Sequence, residues 1–169
     1  MNELVTSTTP DWECKLATLL PLFGHRNWIV VADSAYPAQS NPGIETIFAG
    51  EDHIHVARTV LDAIRASIHA RANVYVDKEL EFVNEIKAPG INEYRQQLKA
   101  TLYGASVGHN LHEQIIDKLD QSAKLYRILI IKTEMTIPYT SIFFELDCGY
   151  WNADAEEDLR RTMQDAESR

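Results

Sequence analysis

The sequence predicts an α/β protein: a three-layer α/β/α sandwich with a mostly parallel central sheet. Three observations predict it. Helical and strand patterns alternate along the chain; Trp28-Ile29-Val30-Val31-Ala32 is continuously apolar and rich in β-branched residues; and two amphipathic helices feed directly into segments of high β propensity. A strand that is apolar on both faces needs cover on both, and helices are the cover that the alternation supplies. With 169 residues, 45% hydrophobic and 24% charged, the chain has the size of one domain. Residues 1–150 are assigned to that domain, and residues 151–169 form a charged C-terminal tail.

The elements follow in order. Thr9-Pro10-Asp11 reads as a helix start, a hydroxyl cap followed by proline and an acid, and Trp12, Leu16, Leu19, Leu20 and Phe23 then share one helical face. Gly24 ends that pattern as a candidate left-handed cap. After the strand Trp28–Ala32 comes a loop through Pro37, Asn41, Pro42 and Gly43, then a short second strand at Thr46–Ala49. Helical spacing from His55 to Arg71 leads into a strand at Asn73–Val76. Two further helices are expected over Lys78–Lys87 and Asn92–Tyr103, because Ala88-Pro89-Gly90 cannot continue a helix. Leu111, Ile115, Leu119 and Ala123 mark another amphipathic helix, followed by strands at Leu125–Ile131 and Ser141–Leu146. Beyond Trp151 the chain is dense in charge and is expected to be a loosely packed helix or disordered.

The net charge of −9 and the lack of any basic run argue against nucleic acid and anionic membrane as partners, because each phosphate contact needs a cation. Cys14 and Cys148 are the only thiols; both are expected to be buried and reduced, which favours a cytoplasmic protein. Met1 to Thr9 is short and polar, unlike a secretory leader, and no apolar run approaches the roughly 20 residues that span a bilayer. No Gly-x-Gly-x-x-Gly, phosphate-loop or Gly-x-Ser-x-Gly pattern occurs, so nucleotide-dependent and serine-hydrolase chemistry lack their apparatus.

His25 and Asp33 bracket the buried strand and are the first candidates for chemistry, Asp33 lying where ligands of such sheets gather, beyond a strand's C-terminal end. A five-residue strand is about 17 Å long. The two side chains therefore meet only if loops fold over one end or a second subunit supplies one of them, and the spacing leaves both routes open. His53-Ile54-His55 and His109-Asn110-Leu111-His112 each pair two rings, the first in an extended reading and the second on one helical face. Neither supplies the three or four ligands of a metal site, so no metal is expected, and His53, His69 and His109 are read as surface or loop residues.

The segment from Leu22 to Ser40, with Gly24-His25-Arg26-Asn27, the apolar strand, Asp33 and then Tyr36-Pro37-Ala38-Gln39-Ser40, resembles the opening of the ribose pyranase and fucose mutarotase family, nearer its fucose branch. His112-Glu113-Gln114 resembles the start of a late helix in the ribose branch. Pro138-Tyr139-Thr140-Ser141-Ile142 resembles that family's Tyr-x-Asn followed by its last strand. The matches span residues 22–149 in the family's order. Two departures stand out: Ser141 replaces the usual Asn, and Glu134-Met135 replaces Gly-Glu.

The resemblance implies an enzyme that interconverts ring forms or anomers of a monosaccharide by acid/base chemistry with no cofactor. It casts His25, Asp33 and Tyr139 as catalytic and His112, Thr140 and Ser141 as substrate-binding, with His112 or Tyr139 available as a second proton carrier. It also implies a homo-oligomer, such as a decameric ring, with sites between subunits. The shorter Ser141 supports an alternative, a sugar-binding or regulatory relative without catalysis.

Overall fold

The computed structural model describes residues 9–168; Met1–Thr8, the bulk of the segment read as carrying no leader, lie outside it. Six strands, β1 (Trp28–Ala32), β2 (Ile44–Phe48), β3 (Ala70–Asp77), β4 (Ser106–Asn110), β5 (Ile128–Lys132) and β6 (Ile142–Cys148), form one sheet in the order β2-β5-β1-β6-β3-β4. β2, β5, β1, β3 and β4 all run one way, and β6 runs against both neighbours, β1 and β3. The sheet is therefore mostly parallel, with one reversed strand at its centre.

Helices α1 (Asp11–Leu19), α2 (His53–Ala66) and α3 (Ile91–Thr101) cover one face, against Ile29, Val31, Val74, Phe144 and Ile131. The other face packs α4 (His112–Ala123) and Tyr36 against Trp28, Val30, Ile130 and Phe143. All five residues of β1 are fully buried, as their unbroken apolar run requires. Fully burying one large aliphatic or aromatic side chain contributes about 1.5–3 kcal/mol, so this strand and its neighbours anchor the fold.

Several expectations shift. The segment from Lys78 makes only a 3-10 turn, Lys78–Phe82, because the chain must reverse from the end of β3 before α3 can begin at Ile91. β4 is an addition to the expected strands; it is an edge strand paired with β3 alone, partly exposed, and Ser-Val-Gly-His-Asn carries no apolar run to reveal it. His53 and His55 lie in the first turn of α2 rather than on an extended segment. His109 lies on β4, so it shares no helical face with His112. The first helix starts after Pro10 without a side-chain cap from Thr9. At its far end Arg26, not Gly24, takes the positive φ, 73°. Cys14 is exposed on the outer side of α1, opposite Trp12, Leu16 and Leu19, and Cys148 is half-buried at the end of β6, so neither is a core residue.

The tail forms α5 (Ala153–Glu167), capped by the Asn152 side chain accepting from the Ala155 amide, and none of its residues is buried. No described helix is long and apolar enough to cross a membrane.

Candidate active site

Strand direction decides which residues meet. Because β6 is reversed, its beginning lies at the edge where β1, β5 and β3 end. That edge gathers Asp33 after β1, Thr133 after β5, Asp77 at the end of β3 and Tyr139-Thr140-Ser141 ahead of β6. A cleft of about 660 Å³ opens there, lined by Asp33, Tyr36, Asp77, His112, Tyr139 and neighbouring loop residues. Its position beyond the C-terminal ends of parallel strands is where α/β sheets hold ligands.

Asp33 turns the chain into the following loop, its Oδ1 accepting from the Ala35 amide at 3.1 Å. This leaves the other carboxylate oxygen without a hydrogen bond among the described residues. The Asp33 amide donates to Ser141 Oγ at 3.2 Å, which ties the β1 end to the start of β6.

His112 opens α4, and its amide donates to the Glu79 carboxylate at 3.0 Å, an anion at the positive end of a helix. Its Nδ1 sits 2.9 Å from Oδ2 of Asp77, which is only 1% exposed. A carboxylate only accepts, so Nδ1 carries the proton and Nε2 is left for the cleft. The Tyr139 ring meets the imidazole edge-on, 5.9 Å between centroids, and Tyr139 itself holds a φ of 61°, a strained value for a residue with a side chain.

The hydrogen bond from Asp77 raises the His112 pKa above its ordinary 6.5, outweighing partial burial. Burial also pushes the Asp77 carboxyl above its ordinary value, with His112 opposing. The pair thus keeps its protons to higher pH than either group would alone in water. Both groups bind protons more tightly folded than unfolded, so their contribution to stability is full below the lower, unfolded values and fades as pH rises through the raised ones. In a proton NMR titration, the His112 ring should titrate above the ordinary imidazole value, and in Asp77→Asn, which keeps shape and removes the charge, its midpoint should fall. An unmoved midpoint would show that Asp77 does not set it.

Three buried polar atoms on the cleft wall, Tyr36 Oη, Gln39 Oε1 and Asp77 Oδ1, have no partner among the described residues. Each such atom costs about 1–3 kcal/mol if left unmatched, and the hydroxyls of a small polar ligand complement both donors and acceptors.

Of the residues singled out in the sequence, Asp33, His112 and Tyr139 share this cleft. Thr140 and Ser141 lie just behind it, fully buried, with their hydroxyls engaged inside the chain: Thr140 Oγ1 donates to the Ile137 carbonyl at 2.7 Å and Ser141 Oγ accepts from Asp33. His25 lies at the other end of β1, exposed, within a surface network. Arg26 Nε donates to its Nε2 at 3.2 Å, so Nδ1 donates to Asp147 at 2.8 Å, and Arg71 holds the same carboxylate. Within one chain His25 does not reach Asp33. Asp77 and Glu79 escaped the sequence reading, although Asp77 follows Val74-Tyr75-Val76 much as Asp33 follows β1.

The paired histidines diverge. His53 is buried against Thr133 and Thr140, contrary to its reading as a surface residue, whereas His55 is exposed beside Glu51 at 3.2 Å, so the two rings face different surroundings. His109 is exposed beside Glu81 at 3.3 Å.

A family model described as the RbsD / FucU transport protein family matches residues 12–148. No curated protein matches the chain in sequence. Among solved structures, RbsD of Bacillus subtilis complexed with D-ribose superposes with a TM-score of 0.58 at 17% identity, covering 84% of this chain and 98% of that one. The fucose mutarotase of Streptococcus pneumoniae in complex with L-fucose gives 0.51 at 18% identity, covering 87% and 98%. FucU of Bifidobacterium longum gives 0.53 at 14% identity, covering 79% and 94%. At these identities the likeness is one of fold.

Proposed function

From its membership of the RbsD / FucU transport protein family, to which the chain belongs through residues 12–148, we propose that the protein is a monosaccharide ring isomerase, a pyranase or mutarotase. The observation that carries this reading is the cleft in which Asp33, Tyr139 and an Asp77-backed His112 converge.

The reaction takes the proton from the anomeric hydroxyl and delivers one to the ring oxygen as the C1–ring-oxygen bond breaks. The open aldehyde then turns, and a hydroxyl closes on it with the reverse transfers. No electron is gained or lost, and no cofactor is called for. An imidazole gives and regains a proton at working pH, and the raised pKa of His112 favours the donor form. His112 is the donor in this scheme, its Nε2 facing the cleft while Asp77 steadies Nδ1. Asp33 is the acceptor or the anchor of the anomeric hydroxyl, and Tyr139 offers a phenol to either oxygen. Thr140 and Ser141 support Asp33 and Tyr139 from behind; a role for them in touching sugar requires the segment to shift.

His25 enters from a neighbouring subunit of a homo-oligomer, because its own strand holds it about 17 Å from Asp33. Saturation-transfer NMR on pentoses and deoxyhexoses at equilibrium tests the activity: exchange between ring forms should accelerate with the protein and be lost in His25→Ala. Mixing His25→Ala with His112→Ala should recover part of the exchange if the site spans two chains, and recover none if it does not.

The alternative, a sugar-binding or regulatory relative without catalysis, is favoured by Ser141, whose short side chain is buried behind the cleft and accepts from the Asp33 amide. Sugar binding with unchanged exchange rates would establish it.

A further inference from the structure

We propose that His53 is a positioning residue of the cleft: one buried imidazole holds the wall that ends in Asp33 and the wall that carries Tyr139 at a fixed separation, through Thr133 and Thr140. His53 is 2% exposed in the first turn of α2. Its Nε2 lies 2.7 Å from the Thr140 carbonyl. A carbonyl only accepts, so Nε2 carries the hydrogen and donates. Its Nδ1 lies 2.7 Å from Thr133 Oγ1, which also lies 3.1 Å from the Ala32 carbonyl; in the neutral ring Nδ1 only accepts, so the single hydroxyl proton has two competing acceptors, of which Nδ1 is the nearer. Burial pushes the His53 pKa down, in keeping with the neutral tautomer.

The two contacts close a ring of bonds. The Thr133 amide donates to the Ala32 carbonyl at 2.9 Å, Ala32 is joined to Asp33, and the Asp33 amide donates to Ser141 Oγ at 3.2 Å. Ser141 is joined to Thr140, whose carbonyl returns to His53. Tyr94 Oη donates to that same carbonyl at 2.7 Å. Tyr139 precedes this doubly held carbonyl, and its φ of 61° is a conformation that lasts only where the surroundings enforce it. An apolar residue would fill the same space at less desolvation cost but would leave the ring open. His53 does not line the cleft, so its effect is on placement, and a displacement of about 1 Å at a reacting group costs on the order of 100-fold in rate.

The kinetic part of the test rests on the isomerase reading; the structural part stands apart from it. Amide NMR spectra of the full chain are compared for wild type, His53→Ala and Thr133→Val, the last keeping side-chain shape while removing the hydroxyl link. In His53→Ala the resonances of Asp33, Ser34 and Tyr139–Ser141 should move together; in Thr133→Val, whose hydroxyl also meets the Ala32 carbonyl and the Met135 amide, those of Tyr139–Ser141 carry the decision. Ring-form exchange at saturating sugar should fall about 10- to 100-fold in His53→Ala with KM little changed. Folded variants in which those resonances stay in place while only α2 responds overturn the proposal. If His53→Ala does not fold, Thr133→Val decides by the same resonances. A wild type that accelerates no exchange removes the isomerase reading, and the resonances still decide His53.

Discussion

Replacing His112 by alanine is expected to slow ring-form exchange by about 10²- to 10⁴-fold, the range a positioned proton carrier supplies, with a smaller change in sugar affinity. The size of the effect follows from the pair: Asp77, almost wholly buried, fixes the Nδ1 proton and raises the pKa, so that a protonated ring faces the cleft to higher pH than an isolated imidazole would. Asp77→Asn should cost less, because the imidazole remains while its proton is held less tightly. In that variant the decline in rate on raising the pH should also set in earlier, since the donor form of His112 is lost on passing through a lower pKa. Exchange that survives His112→Ala within about twofold, far short of the loss a proton carrier causes, would move the donor role to Tyr139 or His25. Sugar exchange NMR from about pH 5 to about pH 8, the span in which imidazoles titrate, makes the measurement with the wild type alongside.

Phe144→Ala is expected to destabilise the fold by about 3–5 kcal/mol, the usual cost of removing a fully buried aromatic side chain. Phe144 sits on reversed β6, opposite Ile29 of β1 and Val74 of β3, and is completely buried beneath the α1–α3 layer. Domains of this size are stable by about 5–15 kcal/mol, so the variant should unfold at much lower urea and bind sugar poorly for want of a folded cleft. A loss below about 1 kcal/mol would mean that the layer relaxes onto the gap and that β6 is not the keystone of the core. Urea unfolding followed by tryptophan fluorescence reads the difference, because Trp28 lies in the neighbouring strand.

Much of the fold is legible in the sequence because its signals are local. The run Trp28–Ala32 announces a strand buried on both faces, and Val56, Val60, Leu61 and Ile64 announce the core side of α2. β4 is not legible, since an edge strand with one partner buries little and needs no apolar pattern. The charge density of the tail suits a loose helix and disorder alike, and α5 is a helix that buries none of its residues. The site is legible in part. Asp33 stands out by its place after a buried strand, His112 and Tyr139 by the family resemblance, and all three share a cleft, whereas Asp77 follows a shorter apolar run, Val74-Tyr75-Val76, and does not stand out. That the two acids lie at one sheet edge depends on strand order, which no local pattern sets.

Periodicity and side-chain chemistry are properties of neighbours along the chain, so the alternation of helix and strand, the layered α/β class and the residue types able to move a proton are written there. Which of those residues meet follows from the packing of the strands. Reversed β6 brings Tyr139 to the edge where β1 and β3 end, which joins it to Asp33, Asp77 and His112. The length of β1 carries His25 to the opposite edge, and the burial of His53 turns a supposed surface histidine into a bond between two walls. These outcomes depend on strand order and direction, long-range pairings that no local pattern records.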